Sequence, residues 1–287
     1  MSPSSSIDWL ISKGLDERGY IAIVELIIYT PIFVTSGFLI FRHGFRRNAG
    51  WIYLLILSIV RIAGGSIRLA SELGNPHNET LKIVFDNLEA AGVSQLLLAT
   101  VGFLHTIAQH AFGSKMTHLL QLFDLISTIS LVLLIIGETK ITGADGDQSK
   151  LDAGITLKHT GDTIFLALYV LIVITHGIYW LRRQEIMKNR RKLLLGISIA
   201  LPFLAVRVVY SVLSSYAPHD PDAESGLAIF NISSGTWYIY LIMGVLAELI
   251  VVLIYTFFGM TVPLDEDYAS TKMERWEGEE DRQYMRP

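Results

Sequence analysis

The chain has 287 residues, is 51% hydrophobic and 17% charged, and has a mean hydropathy of +0.45. That is too apolar for an ordinary soluble domain, and a net charge of −4 offers no basic surface to nucleic acid. There is no cysteine, which excludes disulfides, thiolate catalysis and cysteine-ligated metals.

Residues 1–19 hold no long apolar core followed by a small-residue cleavage site, so the sequence predicts no removable signal peptide. Runs of about 20 apolar residues, long enough to cross a bilayer, then follow one another. They are Tyr20–Phe41, Trp51–Ser71, Leu88–Ala108, Thr117–Gly137, Asp162–Leu181, Leu193–Tyr216 and Thr236–Met260. A lone apolar segment in lipid must satisfy its own backbone hydrogen bonds, so each run reads as a helix. The expected fold class is all-α: a polytopic membrane protein whose seven transmembrane helices form a bundle over residues 20–260. Gly64, Gly65 and Pro202 lie inside runs, where they permit close packing or a kink. Residues 261–287 are polar and mostly charged and read as a disordered cytosolic tail.

The connecting segments divide by charge. One set holds Arg42, Arg46, Arg47, Lys115, Arg182, Arg183, Lys188, Arg190, Arg191 and Lys192. The other is longer and acidic, with Glu72, Glu79, Asp86, Glu138, Asp145, Asp147, Asp152, Asp220, Asp222 and Glu224. The positive-inside rule puts the basic set in the cytosol, so the N-terminal segment is expected in the lumen and the C-terminus in the cytosol, in a membrane such as that of the endoplasmic reticulum. Two glycosylation tripeptides, Asn78-Glu79-Thr80 and Asn231-Ile232-Ser233, fall on the same outer side. The pairs Arg46-Arg47 and Arg191-Lys192 precede the runs that hold Arg61 and Arg207, an echo that fits a three-plus-one-plus-three plan seen in some transporters.

Ionisable residues inside such runs are costly and mark function. Glu25, Arg61, Asp124, Arg207 and Glu248 are of this kind. At 1.5 Å per residue, Glu25 lies ~8 Å below the outer boundary, Arg61 ~15 Å in from the cytosol, and Glu248 ~18 Å from the outer face. Asp124 lies nearer the cytosol. Helical spacing sets Tyr29 on the face of Glu25, Tyr240 and Tyr255 on that of Glu248, and Tyr169 on that of Asp162, with Gln95 in the outer half of the third run. A cavity with these walls is acidic and basic in places and aromatic between. Arg61 is expected to pair with Glu25 or Glu248. A purely structural role for such pairs stays open, and Asp162 reads as the N-cap of its helix.

Several chemistries find no support. No lysine lies within the runs to form a retinal Schiff base. The third run ends His105-Thr106-Ile107-Ala108-Gln109-His110, without the Asp-Arg-Tyr pattern of rhodopsin-type receptors, and the seventh lacks Asn-Pro-x-x-Tyr. His105, His118 and His176 gather near the cytosolic side, but no His-x-x-x-His pair supports zinc. No aspartate-rich motif is present to hold a diphosphate through magnesium.

The run Arg42-His43-Gly44-Phe45-Arg46-Arg47-x-x-Gly50-Trp51, then Arg61-x-x-Gly64, together with Glu25 and Tyr29-x-Pro31, resembles integral membrane proteins of filamentous fungi. In size and span number the chain is also similar to the membrane-bound terpene cyclases of fungal meroterpenoid clusters. That resemblance implies an isomerase or lyase of secondary metabolism, which takes a prenylated or epoxidised terpenoid from the bilayer. A carboxylic acid would protonate the substrate, and the carbocation would run through a dry aromatic cavity. Glu25, Glu248 and Asp124 are the candidate acids, and Tyr29, Arg61, Gln95, Tyr169, Arg207, Tyr240 and Tyr255 the candidate substrate-binding residues. Arginines favour the carboxylate form, so the proton donor is expected to be the acid without an arginine partner. No metal or other cofactor is needed. Expected partners are a lipid-soluble small molecule and membrane lipids. The alternative is a transporter or receptor-like binder, in which the same charges would hold a ligand or carry protons.

Overall fold

The computed structural model describes residues 15–43, 49–73, 79–108, 114–144, 146–218, 226–232 and 235–262. Outside them lie residues 263–287 of the expected tail, most of the N-terminal segment, Arg46, Arg47, His110, Asp145, Asp220, Asp222 and Glu224. Asn78 and Ser233 of the two glycosylation tripeptides lie outside as well.

The described residues form seven long helices: α1 Glu17–His43, α2 Ala49–Leu73, α3 Glu79–Ala108, α4 Ser114–Thr142, α5 Gln148–Leu181, α6 Lys188–Ser215 and α7 Trp237–Thr261. Each is long and apolar enough to cross a membrane. Pro31 and Pro202 sit inside α1 and α6. Near them the Thr35 hydroxyl donates to the Pro31 carbonyl, and the Tyr169 hydroxyl donates to the Leu201 carbonyl at 3.1 Å.

Two helices extend well beyond their expected starts. α3 begins at Glu79 rather than Leu88, and α5 at Gln148 rather than Asp162. Hydropathy marks where a helix meets lipid, not where its hydrogen bonding stops. The cap of α5 is Asp147, whose side chain accepts from the backbone N–H of Ser149 at 3.1 Å and Lys150 at 3.3 Å. Asp162 is therefore interior to α5 rather than its N-cap, and it accepts a hydrogen bond from Ser211 Oγ at 2.6 Å. Part of the expected acidic loop is likewise helix: Glu138 lies in α4 and its carboxylate pairs with Lys158 of α5 at 2.8 Å.

Consecutive helices pack side by side, and α1 meets α7 to close a ring. α3 runs through the middle, against α5 and α6 as well as its chain neighbours. Its membrane-spanning part is 78% buried, against 28% for α4, so α3 is the core of the bundle and α4 a peripheral helix. Glycine permits the tightest approaches. A Cβ on Gly137 would lie 2.9 Å from the Gly154 carbonyl oxygen, so α4 and α5 meet backbone to backbone.

Candidate functional site

Four helices each send one charge to the centre of the bundle. α2 supplies Arg61, α3 Glu89, α6 Arg207 and α7 Glu248, none more than 4% exposed. Arg61 donates to both oxygens of Glu248 and to Glu89 Oε1. Arg207 donates through Nε to Glu248 Oε2 at 3.2 Å and through Nη2 to Glu89 Oε2 at 3.3 Å. Each acid thus binds both bases, and each base both acids. Two tyrosines extend this ring: Tyr29 of α1 donates to Glu248 Oε1 and Tyr240 of α7 to Glu89 Oε1, each at 3.0 Å. Burying one ion costs several kcal/mol, and only such complete pairing offsets it.

Local backbone makes room for the ring. A Cβ on Gly92 of α3 would lie 2.6 Å from Arg61 Nη2, so glycine alone lets the guanidinium lie against the helix. In α7 the stretch Tyr240–Leu246 is π-helical, with α-helix resuming at Ala247. Such insertions gather at functional sites because they re-aim side chains. Here Tyr240 and Glu248 both reach the ring while Leu241, Val245 and Leu246 face a cleft. Arg18 of α1 ties the approach to α7 in place. Its guanidinium donates to the carbonyls of Ile232 and Gly235 and lies 5.7 Å from the centre of the Tyr240 ring.

The cleft lies between α1 and α7 and has a volume of about 390 Å³, within the usual size of small-molecule sites. Its walls are mostly apolar, with the rings of Tyr20, Tyr29 and Trp237 among them. Tyr20, Val24, Trp237 and Leu246 are all exposed, so the cleft opens on the outer, lipid-facing surface of the bundle. Glu25 faces it. That residue is 4% exposed, and its Oε1 has no hydrogen-bond partner among the described residues.

The structure therefore gathers six of the sequence-predicted residues, Glu25, Tyr29, Arg61, Arg207, Tyr240 and Glu248, at one place. Arg61 pairs with Glu248, not with Glu25. Four others stand elsewhere. Asp124 of α4 faces His105 at 3.6 Å. Tyr255 shares a 2.7 Å hydrogen bond with Thr100, and Tyr169 serves the α6 backbone. Gln95 Oε1 is buried with no partner among the described residues. Sequence reasoning missed Glu89, which fell at the expected edge of its span. The longer α3 carries it inside. In the sequence Arg61 and Arg207 already faced three candidate acids, Glu25, Asp124 and Glu248, so counting charges gave no signal for a fourth. Among the described residues no group of His, Asp and Glu is placed to hold a metal ion.

No curated protein and no solved structure matches the chain. A family model described as a domain of unknown function, DUF7702, matches residues 15–265, and the chain belongs to that family.

Proposed function

We propose that the chain is a membrane-bound terpenoid cyclase in which Glu25 is the proton donor. One observation carries the reading: of the buried acids beside the cleft, Glu25 is the one with no hydrogen-bonded arginine among the described residues. Among the described residues Glu89 and Glu248 already match Arg61 and Arg207 one for one, so neither arginine is free to take Glu25 as a hydrogen-bonded partner. A linear prenylated substrate diffuses in from lipid. The Glu25 O–H proton passes to a terminal epoxide oxygen, breaking the C–O bond, or to an alkene carbon. The carbocation is then captured by neighbouring alkenes, and Tyr20, Tyr29 and Trp237 shield it. The last cation loses a proton, which restores the acid, so the sum is an isomerisation. The ion ring does not react. It holds α1, through Tyr29, against the rest of the bundle.

The basic connecting segments support an orientation in which the Glu25 half of the membrane is lumenal and the C-terminus cytosolic. A C-terminal reporter accessible only from the lumen would reverse it.

Microsomes containing the full chain are incubated with linear prenylated phenols and their terminal epoxides. The expected result is a cyclised isomer from the native chain and unchanged substrate from an equally abundant Glu25→Gln variant. Unchanged substrate with the native chain, or cyclisation by Glu25→Gln, overturns the reading. A second reading rests on the charges themselves. Arg61 and Arg207, and likewise Glu89 and Glu248, occupy corresponding helices of a three-plus-one-plus-three plan, which supports a transporter. Movement of a solute across proteoliposomes, with no cyclisation, would select it.

A further inference from the structure

The walls of the cleft are matched in residue count. On α1 the lining runs from Glu17 to Tyr29, and on α7 from Trp237 to Leu249, twelve residue steps each. Along α1, which is α-helical over this stretch, that is ~18 Å at 1.5 Å per residue. Glu17 is exposed and marks the mouth. At the other end stand Ile28 and Leu249, which pack on the main core, and Tyr29, fixed by its hydrogen bond to Glu248. The acid is not at the centre. Glu25 is eight steps from Glu17 but four from Tyr29, which places it ~12 Å below the mouth and ~6 Å above the floor.

We propose that the cleft is a ruler: a linear (acyclic) isoprenoid chain lies in it tail first, and Ile28 and Leu249 form the stop that sets which unit meets Glu25. This deepens the cyclase reading and rests on it for the role of Glu25. An extended carbon chain advances ~1.2 Å per bond, so ~18 Å accommodates about three to four isoprene units. One unit advances ~5 Å on the same basis, close to the ~6 Å between floor and acid. The proton therefore goes to the unit at the tail end, and the head of the molecule stays at the mouth. The mouth also constrains that head. Glu17 is a carboxylate lining it, and Arg18 beside it is spent on the carbonyls of Ile232 and Gly235. A diphosphate head would meet the Glu17 side chain there, and among the described residues Arg18, its hydrogen bonds already made, is not free to turn to it. A neutral head, such as a phenol or an alcohol, fits. The reaction that supplies the substrate must then be one that has already exchanged the diphosphate for a carbon or oxygen substituent.

Binding reads this apart from catalysis. The full chain in lipid nanodiscs is titrated with linear isoprenoid alcohols of two, three, four and five units, in competition with a radiolabelled three-unit alcohol. Binding of the native chain is expected to peak at three or four units. Leu249→Ala lowers the floor and should tighten the five-unit alcohol by about tenfold relative to the three-unit one, the equivalent of about two further buried methylenes. Leu249→Phe and Ile28→Phe raise the floor and should move the peak toward two units. If Leu249→Ala does not fold, the two phenylalanine variants still decide. Equal binding of all lengths, or a peak that stays put in the phenylalanine variants, overturns the ruler. Length-selective binding by a chain that cyclises nothing upholds the ruler and sinks the cyclase. Cyclisation that depends on Glu25 but is blind to Leu249 does the reverse.

Discussion

Glu89 and Glu248 stand on different helices, and each bonds both Arg61 and Arg207. Alternating charge around a closed ring makes the four residues one unit rather than two independent pairs. Removing one member leaves an uncompensated buried ion, at a cost of ~3–5 kcal/mol. Arg61→Met should lower the stability of the detergent-solubilised protein by about that amount. The double change Arg61→Met with Glu248→Met leaves Arg207 facing Glu89 alone, a balanced pair. Its loss should fall short of the sum of the two single losses by ~1–3 kcal/mol. Strict additivity in reversible unfolding would mean that the ring is not coupled.

Gly92 tests the same unit from the backbone side. In an ordinary helix, glycine to alanine gains ~1 kcal/mol of propensity. At residue 92 the added Cβ would sit 2.6 Å from Arg61 Nη2 and 3.2 Å from Glu248 Oε2. A flexible arginine tip usually yields cheaply, but this one is held by Glu89 and Glu248 together. Gly92→Ala should therefore destabilise, by ~1–3 kcal/mol, and Gly92→Ala in an Arg61→Met background should cost much less. A Gly92→Ala protein that melts at or above the native temperature contradicts this account.

Glu25 and Glu248 are both buried glutamates, but their amides should behave differently. Glu248 accepts from Arg61, Arg207 and Tyr29, and Gln at this position leaves two arginines facing one acid. Glu25 Oε1 accepts nothing among the described residues. Thermal unfolding should show Glu25→Gln within about 1 kcal/mol of the native chain and Glu248→Gln lower by ~3 kcal/mol or more. Equal losses in the two variants would place Glu25 inside the ion ring.

Much of this arrangement was legible in the chain. Apolar runs revealed the seven helices, and the cost of charge in lipid pointed to Glu25, Arg61, Arg207 and Glu248. What sequence could not supply was partnership. Glu89 looked interfacial because hydropathy shows where lipid begins, while the helix starts at Glu79 and carries it inward. Asp124, although nearer the cytosol, looked as much an acid of the bundle interior as Glu248, yet it lies on the peripheral helix α4 beside His105. Depth is one coordinate, and the azimuth of each helix in the ring is set by packing that no single helix encodes. The cleft needs two helices to leave a gap, and neither α1 nor α7 announces that alone.

Gly259 gives a last test, near the C-terminal end of α7 and beyond the cleft. A Cβ there would lie 2.0 Å from Trp51 Cη2, far inside contact distance. Trp51 is 1% exposed and has nowhere to retreat. Its ring stands edge-on to Phe103 at 4.6 Å, and Phe103 stands edge-on to Tyr255 at 4.7 Å. Tyr255 is in turn fixed by its 2.7 Å hydrogen bond to Thr100. On the far side, a Cβ on Gly50 would lie 2.6 Å from the Phe103 ring, so that face is filled too. Gly259→Ala should therefore destabilise by ~1–3 kcal/mol despite its better helix propensity. Trimming the obstacle should restore it: Gly259→Ala with Trp51→Phe is expected to be more stable than Gly259→Ala alone, although Trp51→Phe by itself leaves a cavity and loses stability. A double variant less stable than either single one would mean that α2 and α7 do not meet through this pair.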